Sequence, residues 1–111
     1  MVESLADLKA AVSFHGGLQA PTPEQAKAIH AKVLICHGAL DSFIPEATLQ
    51  DVRRALDNAK VDYEMVYYGG ATHSFTVPDA EKAGVQGIAY NAAADHRSWR
   101  DMRDLFNEVF K

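Results

Sequence analysis

A chain of 111 residues forms one domain at most, and its 48% apolar and 23% charged residues are typical of a folded globular protein. The net charge of −4 and the absence of Lys or Arg runs argue against a nucleic-acid-binding protein. No apolar run approaches the roughly 20 residues of a membrane-spanning helix, and the N-terminus lacks a signal-peptide pattern. Cys36 is the only cysteine, which excludes an internal disulfide. We therefore predict a cytoplasmic protein without a membrane segment.

The hydrophobic pattern begins with a strand and a short helix. Leu8 to Phe14 is apolar on both faces, as in a strand covered on both sides, and it ends at the loop signal His15-Gly16-Gly17. Thr22-Pro23-Glu24-Gln25 combines an N-cap, a first-turn proline and the reciprocal glutamine of a capping box. These residues predict a helix that ends at about Ile29.

The second strand is predicted from Lys32 to His37, a continuous apolar run of the kind buried in parallel sheets. Gly38 lets the chain turn. After Pro45, apolar residues recur at helical spacing and predict an amphipathic helix with one buried face. The residues of this face are Leu49, Val52 and Leu56.

The third strand is predicted from Asp62 to Tyr68, and it ends at Gly69-Gly70. A long irregular loop from Thr76 to Gly87 follows, and then a final helix from about Asn91 to Phe110. The predicted core face of this helix comprises Trp99, Met102, Leu105, Phe106, Val109 and Phe110. The element order indicates one α/β domain over residues 1–111, a parallel sheet of about three strands with flanking helices.

An uncovered edge is the weak point of such a small sheet. If the strand from Leu8 to Phe14 lies at the edge, its unpaired N–H and C=O groups need a cover. We therefore predict that this strand pairs with another polypeptide, either a second copy of the chain or a missing N-terminal half of the domain.

Residues able to carry chemistry follow the strands at their carboxyl ends, where sites form in open α/β sheets. Asp41 and His73 follow adjacent strands, so their side chains can meet. A carboxylate bound to one imidazole nitrogen fixes the tautomer and leaves the other nitrogen as a general base. An acid before a histidine is also the order of the last two triad members in α/β-hydrolases.

Three parts of the chain carry a family resemblance: Gly38-Ala-Leu-Asp41-Ser-Phe-Ile-Pro45, Gly70-Ala-Thr-His73-Ser-Phe75 and the final helix. Together they resemble the C-terminal half of the dienelactone hydrolase family. The resemblance implies an α/β-hydrolase acting on a small ester or lactone. It also implies that Asp41 is the triad acid and His73 the triad base, and that no metal or organic cofactor takes part.

The departures from this family are equally informative. Its nucleophile is a cysteine, or a serine in relatives, in a Gly-x-Cys/Ser-x-Gly elbow, and the sequence contains no such elbow. Met1 to Asp7 is similar to the tail of the helix that follows the elbow, which implies that the nucleophile precedes this sequence. Without a nucleophile, the chain is expected to be close to inactive alone. Thr76 and Val77 stand where members that hydrolyse dienelactone carry an arginine, which argues against that substrate.

Simpler roles compete for several of these residues. Cys36 continues an apolar strand, so a buried structural cysteine is favoured over a nucleophile. His15 and His37 are better explained as structural histidines than as metal ligands, because they lack the spacing of a helical zinc pair. An N-cap or turn role for Asp41 and an exposed loop histidine at His73 are the corresponding alternatives.

Charged and aromatic residues elsewhere have structural explanations. Arg97, Arg100 and Arg103 with Asp101 and Asp104 are predicted to form a solvated helix face. The tyrosines of the third strand are explained by strand propensity.

Two further hypotheses remain open. In the first, the chain is a catalytically silent half-domain that associates through its first strand. In the second, two copies of the chain build a composite site that uses Cys36.

Overall fold

The computed structural model describes residues 9–14 and 19–110. Strand β1 spans Ala10–Phe14, β2 spans Lys32–Gly38 and β3 spans Tyr63–Tyr68. The helices are α1 (Pro23–Lys27), α2 (Glu46–Asn58) and α3 (Ala92–Val109), with a short 3₁₀ helix at Ala80–Ala83. The segments 1–8 and 15–18 and residue 111 lie outside the described part, and with them the predictions made for Met1 to Leu8 and for His15-Gly16-Gly17.

The three strands form one parallel sheet in the order β1-β2-β3. In the register, Val12 lies opposite Leu34 and Cys36 lies opposite Val66. The predicted α/β class with a parallel sheet of three strands and flanking helices is therefore confirmed. Within the described residues, β1 pairs with β2 on one side only.

Helices cover both faces of the sheet because successive side chains of a strand point to opposite faces. One cluster joins β2 to α2 through Val33, Ile35, Val52, Leu56 and Ile29. The other contains Leu34, Cys36, Tyr68, Ala71, Phe75 and Ala94, with Met102 and Leu105 of α3 packed against it. The central strand β2 is thus buried on both faces, as its continuous apolar run predicted.

The first two helices match their sequence signals. Gln25 N donates to Thr22 Oγ1 at 3.2 Å and Thr22 N donates to Gln25 Oε1 at 2.9 Å, which completes the predicted capping box of α1. In α2, the three apolar residues predicted to face the core are all buried.

The buried face of α3 differs from the prediction. Its fully buried residues are Ala94 and Ser98, whereas Trp99 is 51% and Phe110 58% exposed. The ring centroids of Trp99 and Phe14, a residue of the edge strand β1, are 6.0 Å apart. The prediction was wrong for Trp99 and Phe110, because it followed the largest apolar side chains, whereas Met102 and Leu105 pack against the core as predicted. Small residues at the start of α3 instead let the helix pack closely on the sheet.

No helix in the described residues is long and apolar enough to cross a membrane. Those same residues contain no group of three or more His, Cys, Asp or Glu side chains able to hold a metal ion.

Candidate active site

The turn after β2 brings Asp41 against the loop that follows β3. Leu40 N donates to Ala71 O at 2.9 Å, and Asp41 N donates to Gly38 O at 3.0 Å. A Cβ atom added at Gly38 would lie 2.6 Å from Thr72 O, closer than real Cβ contacts. Gly38 is therefore required for the close approach of the two loops, beyond any role in turning the chain.

Asp41 and His73 meet at this edge of the sheet. Asp41 Oδ2 lies 2.9 Å from His73 Nδ1, the Asp41 carboxylate is fully buried, and the His73 side chain is 23% exposed. The second carboxylate oxygen, Oδ1, accepts a hydrogen bond from Phe43 N at 2.9 Å. The carboxylate is thus held at both oxygens, one by backbone and one by the imidazole.

This geometry has a defined chemical consequence. A buried carboxylate next to Nδ1 favours the tautomer with its proton on Nδ1 and stabilises the imidazolium when it forms. Nε2 then becomes the ring nitrogen that can accept a proton from a nucleophile. The pair predicted from the sequence is therefore brought together with suitable geometry for a general base.

The backbone of His73 is fixed by a second loop. His73 N donates to Gly87 O at 3.2 Å and Ala89 N donates to His73 O at 3.3 Å, forming a parallel bridge with Ile88. The long loop predicted from Thr76 to Gly87 thus returns to the histidine at its far end.

An aromatic ring covers the imidazole. The centroids of Phe43 and His73 are 5.2 Å apart, and Phe43 is 49% exposed. A Cβ atom at Gly87 would lie 3.4 Å from the Phe43 ring, so the loop around Gly87 closes on the same side chain. Sequence reasoning missed Phe43, although its position two residues after Asp41 could have indicated it.

The other candidates from the sequence, Cys36 and His37, lie in strand β2. Cys36 is buried, and burial raises the pKa of its thiol to about 11, the reverse of what a nucleophile needs. His37 is buried against the Tyr67 ring at 5.5 Å. Burial lowers the pKa of His37, and the nearby charges of Asp41 and Glu46 partly oppose this effect. Both residues therefore have the structural character predicted for them.

A partly buried polar contact joins α3 to β3. Tyr68 Oη donates to Asp101 Oδ2 at 2.5 Å and lies 3.5 Å from Cys36 Sγ. Burial, followed by the hydrogen bond to Asp101, strongly raises the pKa of Tyr68. Asp101 was predicted to be solvated, and this is wrong because its carboxylate turns back to the sheet. Arg97, Arg100, Arg103 and Asp104 are exposed as predicted.

A groove of about 300 Å³ lies between α1 and α2, with Pro21, Pro23, Arg54 and Ala59 among its walls. Its lining residues do not belong to the loops that carry Asp41 and His73. The candidate site is therefore the carboxyl edge of the sheet.

Comparison with known proteins identifies the family of the chain. The sequence model of the dienelactone hydrolase family matches residues 1–110. The chain belongs to the dienelactone hydrolase family.

The chain is also similar to solved structures of this family. It is 42% identical to a dienelactone hydrolase-like promiscuous phosphotriesterase from metagenomic libraries, with a TM-score of 0.92 over 97% of this chain and 45% of that one. It is 27% identical to a structure from Klebsiella pneumoniae provisionally named a dienelactone hydrolase, with a TM-score of 0.74 over 96% of this chain and 45% of that one.

Curated relatives are 27–30% identical to the chain. An uncharacterised protein of Caenorhabditis elegans is 27% identical over 93% of this chain and 66% of its own length. A protein of Escherichia coli O157:H7, provisionally named a carboxymethylenebutenolidase, is 30% identical over 91% of this chain and 38% of its own length. The chain thus spans about two fifths to two thirds of the length of these curated relatives.

Proposed function

We propose that this chain supplies the acid and the base of a hydrolase that cleaves small esters or lactones. The observation that carries the proposal is the 2.9 Å contact between the fully buried Asp41 carboxylate and His73 Nδ1 at the carboxyl edge of the sheet. Membership of the dienelactone hydrolase family supports hydrolysis as the reaction class.

In this reaction His73 Nε2 takes the proton of a thiol or hydroxyl as that group attacks the ester carbonyl. His73 then returns the proton to the departing alkoxide, which leaves as an alcohol. The acyl group stays bonded to the nucleophile as an acyl-enzyme. Water then attacks the acyl group, again with His73 as base, and the carboxylic acid is released. Asp41 orients the imidazole and stabilises its charged form throughout.

In this proposal the nucleophile comes from another polypeptide segment, because the 111 residues contain no Gly-x-Cys/Ser-x-Gly elbow. The edge strand β1 is the place where the polypeptide carrying it would add to the sheet. Within the described residues this edge has no partner, and the half-exposed Trp99 stands beside it. We retain a cytoplasmic location in this proposal, since the sole cysteine suits a reducing compartment.

The substrate we propose is uncharged. Residues 38–45 and 70–78, the segments that carry Asp41, Phe43 and His73, contain no Lys or Arg, while they include the carboxyl group of Asp41. Phe43 offers an apolar surface beside His73. The promiscuous phosphotriesterase relative, named for a neutral class of ester, is consistent with this choice.

Complementation tests the catalytic proposal. The part of the 42% identical metagenomic hydrolase that this chain does not cover would be co-expressed with the chain, and p-nitrophenyl acetate turnover measured. His73→Ala should reduce turnover by at least ~10³-fold and Asp41→Asn by a similar factor, whereas His96→Ala, on the exposed side of α3, should leave it unchanged.

The positive control is the hydrolase's own C-terminal part, supplied in the same way. If that part restores turnover and this chain does not, or if His73→Ala retains full turnover, the proposal is wrong. A matched pair of p-nitrophenyl acetate and the anionic p-nitrophenyl hemisuccinate tests the substrate class. We expect kcat/KM to be about tenfold lower for the anion, which corresponds to ~1.4 kcal/mol.

The second candidate function is a silent module in which two copies pair through β1. The unpaired β1 edge and the exposed Trp99 in the described residues favour it. Sedimentation velocity distinguishes the two ideas. A dimer that Trp99→Asp converts to a monomer would support self-association, and a well-folded monomer at low micromolar concentration would contradict it.

A further inference from the structure

The loop that carries His73 is attached to the rest of the molecule at its two ends. It leaves β3 through Gly70, which has a positive φ of 76°, and it ends at the buried Phe75. Phe75 packs on the Tyr68 ring at 5.6 Å, and Ala71 is also fully buried. The imidazole is therefore presented from a six-residue span that is held at both ends and, at His73 itself, by the backbone around Ile88.

Both ends of this span are bound by one residue, Asn91. Its Nδ2 donates to Gly70 O at 3.4 Å, and its backbone N donates to Phe75 O at 3.0 Å. The third contact runs in the opposite direction along the chain, since Asn91 Oδ1 accepts from Ala94 N at 3.0 Å and caps helix α3.

We propose that Asn91 is a positioning residue, which holds the His73 loop at the distance that the contact with Asp41 requires. Its catalytic meaning rests on the proposed function, but the geometric part of the inference does not. The residue touches neither the Asp41 carboxylate nor the imidazole, and it acts only through Gly70 and Phe75.

The side-chain chemistry explains why asparagine suits this position. A helix N-cap needs only an acceptor, and Ser, Thr, Asp and Asn serve almost equally well. Asparagine alone among them adds an amide N–H₂ to the acceptor on a short side chain. Here the acceptor is used on the helix and the amide on the loop. An N-cap role alone does not account for the hydrogen bond from Asn91 Nδ2 to Gly70 O.

The helix also makes the attachment rigid. α3 has 18 residues and packs on β1 and β2, and it is joined to β3 by the contact between Tyr68 and Asp101. A residue at its first turn is therefore fixed relative to the sheet. The position of Asp41 is fixed to the same sheet through the turn at Gly38, so Asn91 relates the histidine to the acid through rigid elements.

The test separates positioning from capping by replacing the amide while keeping an N-cap. In Asn91→Ser and Asn91→Asp an acceptor for Ala94 N is retained, but the amide donor to Gly70 O is lost. Aspartate has no donor, and the serine hydroxyl is one bond too short to replace the amide. The control is Thr22→Ala, which removes the cap of α1 without touching the His73 loop. The readout is the solvent-exchange rate of the His73 Nδ1 proton, measured by NMR on the full chain labelled with ¹⁵N.

We expect helix content to be preserved in Asn91→Ser and Asn91→Asp, with His73 Nδ1–H exchange about tenfold faster, equivalent to ~1.4 kcal/mol. Unchanged exchange in both variants would overturn the proposal, because Asn91 would then be a cap only. Equal acceleration in Thr22→Ala would also overturn it, since the effect would reflect general loss of stability.

The NMR readout needs no turnover, so it is unaffected if the hydrolase proposal fails. In the complemented enzyme the positioning role predicts a lower kcat with little change in KM for Asn91→Ser. Wild-type complementation without activity would instead contradict the proposed function alone.

Discussion

At the scale of single residues, the site depends on one small side chain as much as on its two polar ones. Gly38 has the carbonyl oxygens of Ala71 and Thr72 where its Cβ would be, at 2.7 and 2.6 Å. Backbone atoms cannot move aside as the end of a flexible side chain can. The contact between Asp41 and His73 therefore requires that residue 38 has no Cβ atom.

Gly38→Ala should push the His73 loop away from Asp41. We expect the free energy of unfolding to fall by about 1–3 kcal/mol, the usual range for overpacking, and the His73 Nδ1 proton to exchange faster. Urea denaturation and NMR measure the two effects. Gly69→Ala is the matched control, because an added Cβ there meets nothing within 4 Å, and equal effects of both substitutions would contradict this explanation.

Cys36 provides a second prediction at this scale. With a thiol pKa of about 11, only about one thiol in a thousand is ionised at pH 8, and the side chain is also buried. Labelling by a thiol-reactive disulfide reagent should therefore be slow in the native chain and fast in 6 M guanidinium chloride. Fast native labelling would instead favour the composite site that uses Cys36.

At the scale of secondary-structure elements, α3 is held by polar and small-residue contacts more than by its largest apolar side chains. Ala94 and Ser98 face the sheet, and Tyr68 reaches from β3 to Asp101. Trp99 and Phe110 remain about half exposed. The helix that is capped by Asn91 thus depends on a partly buried hydrogen bond for part of its attachment.

Removing this hydrogen bond should loosen α3. Tyr68→Phe leaves the Asp101 carboxylate without its donor, so we expect a loss of about 1–3 kcal/mol in the free energy of unfolding. Tyr63→Phe, which removes an exposed hydrogen bond to Asp57, should cost less than ~1 kcal/mol. Thermal unfolding by circular dichroism compares the two, and equal costs would mean that the contact with Asp101 is unimportant.

At the scale of the whole molecule, the two apolar clusters on either face of β2 provide the stability, and the site lies at one edge of that layer. His37 links the apolar core to the site, because it lies at the end of β2 that leads to Asp41 and is buried. Its lowered pKa means that the folded chain resists its protonation.

The global stability should therefore depend on pH. The unfolded chain protonates His37 near its ordinary pKa of about 6.5, but the folded chain does so only at lower pH. The stabilisation is present above about pH 6.5 and is lost as the pH falls from there through the folded-state pKa. Urea midpoints from pH 8 to pH 5 should fall less steeply for His37→Gln than for wild type, and parallel slopes would contradict the assignment.

The sequence by itself determined the class of the fold, because patterns of two and 3.6 residues are local properties. The capping box at Thr22, the buried run of β2 and the apolar face of α2 all follow from neighbours in the chain. The order of Asp41 and His73 after adjacent strands was sufficient to predict that they could meet.

Only the tertiary structure decided how α3 is rotated on the sheet, which carbonyls exclude a side chain at Gly38, and which atoms Asn91 binds. These features depend on packing between segments distant in sequence, where a small residue can win over a large apolar one because it permits closer approach. The same reason explains Asp101, whose neighbours in the chain indicate solvent and whose neighbour in space is Tyr68. The acid and the base were predictable from order along the chain, whereas their exact separation is a product of that packing.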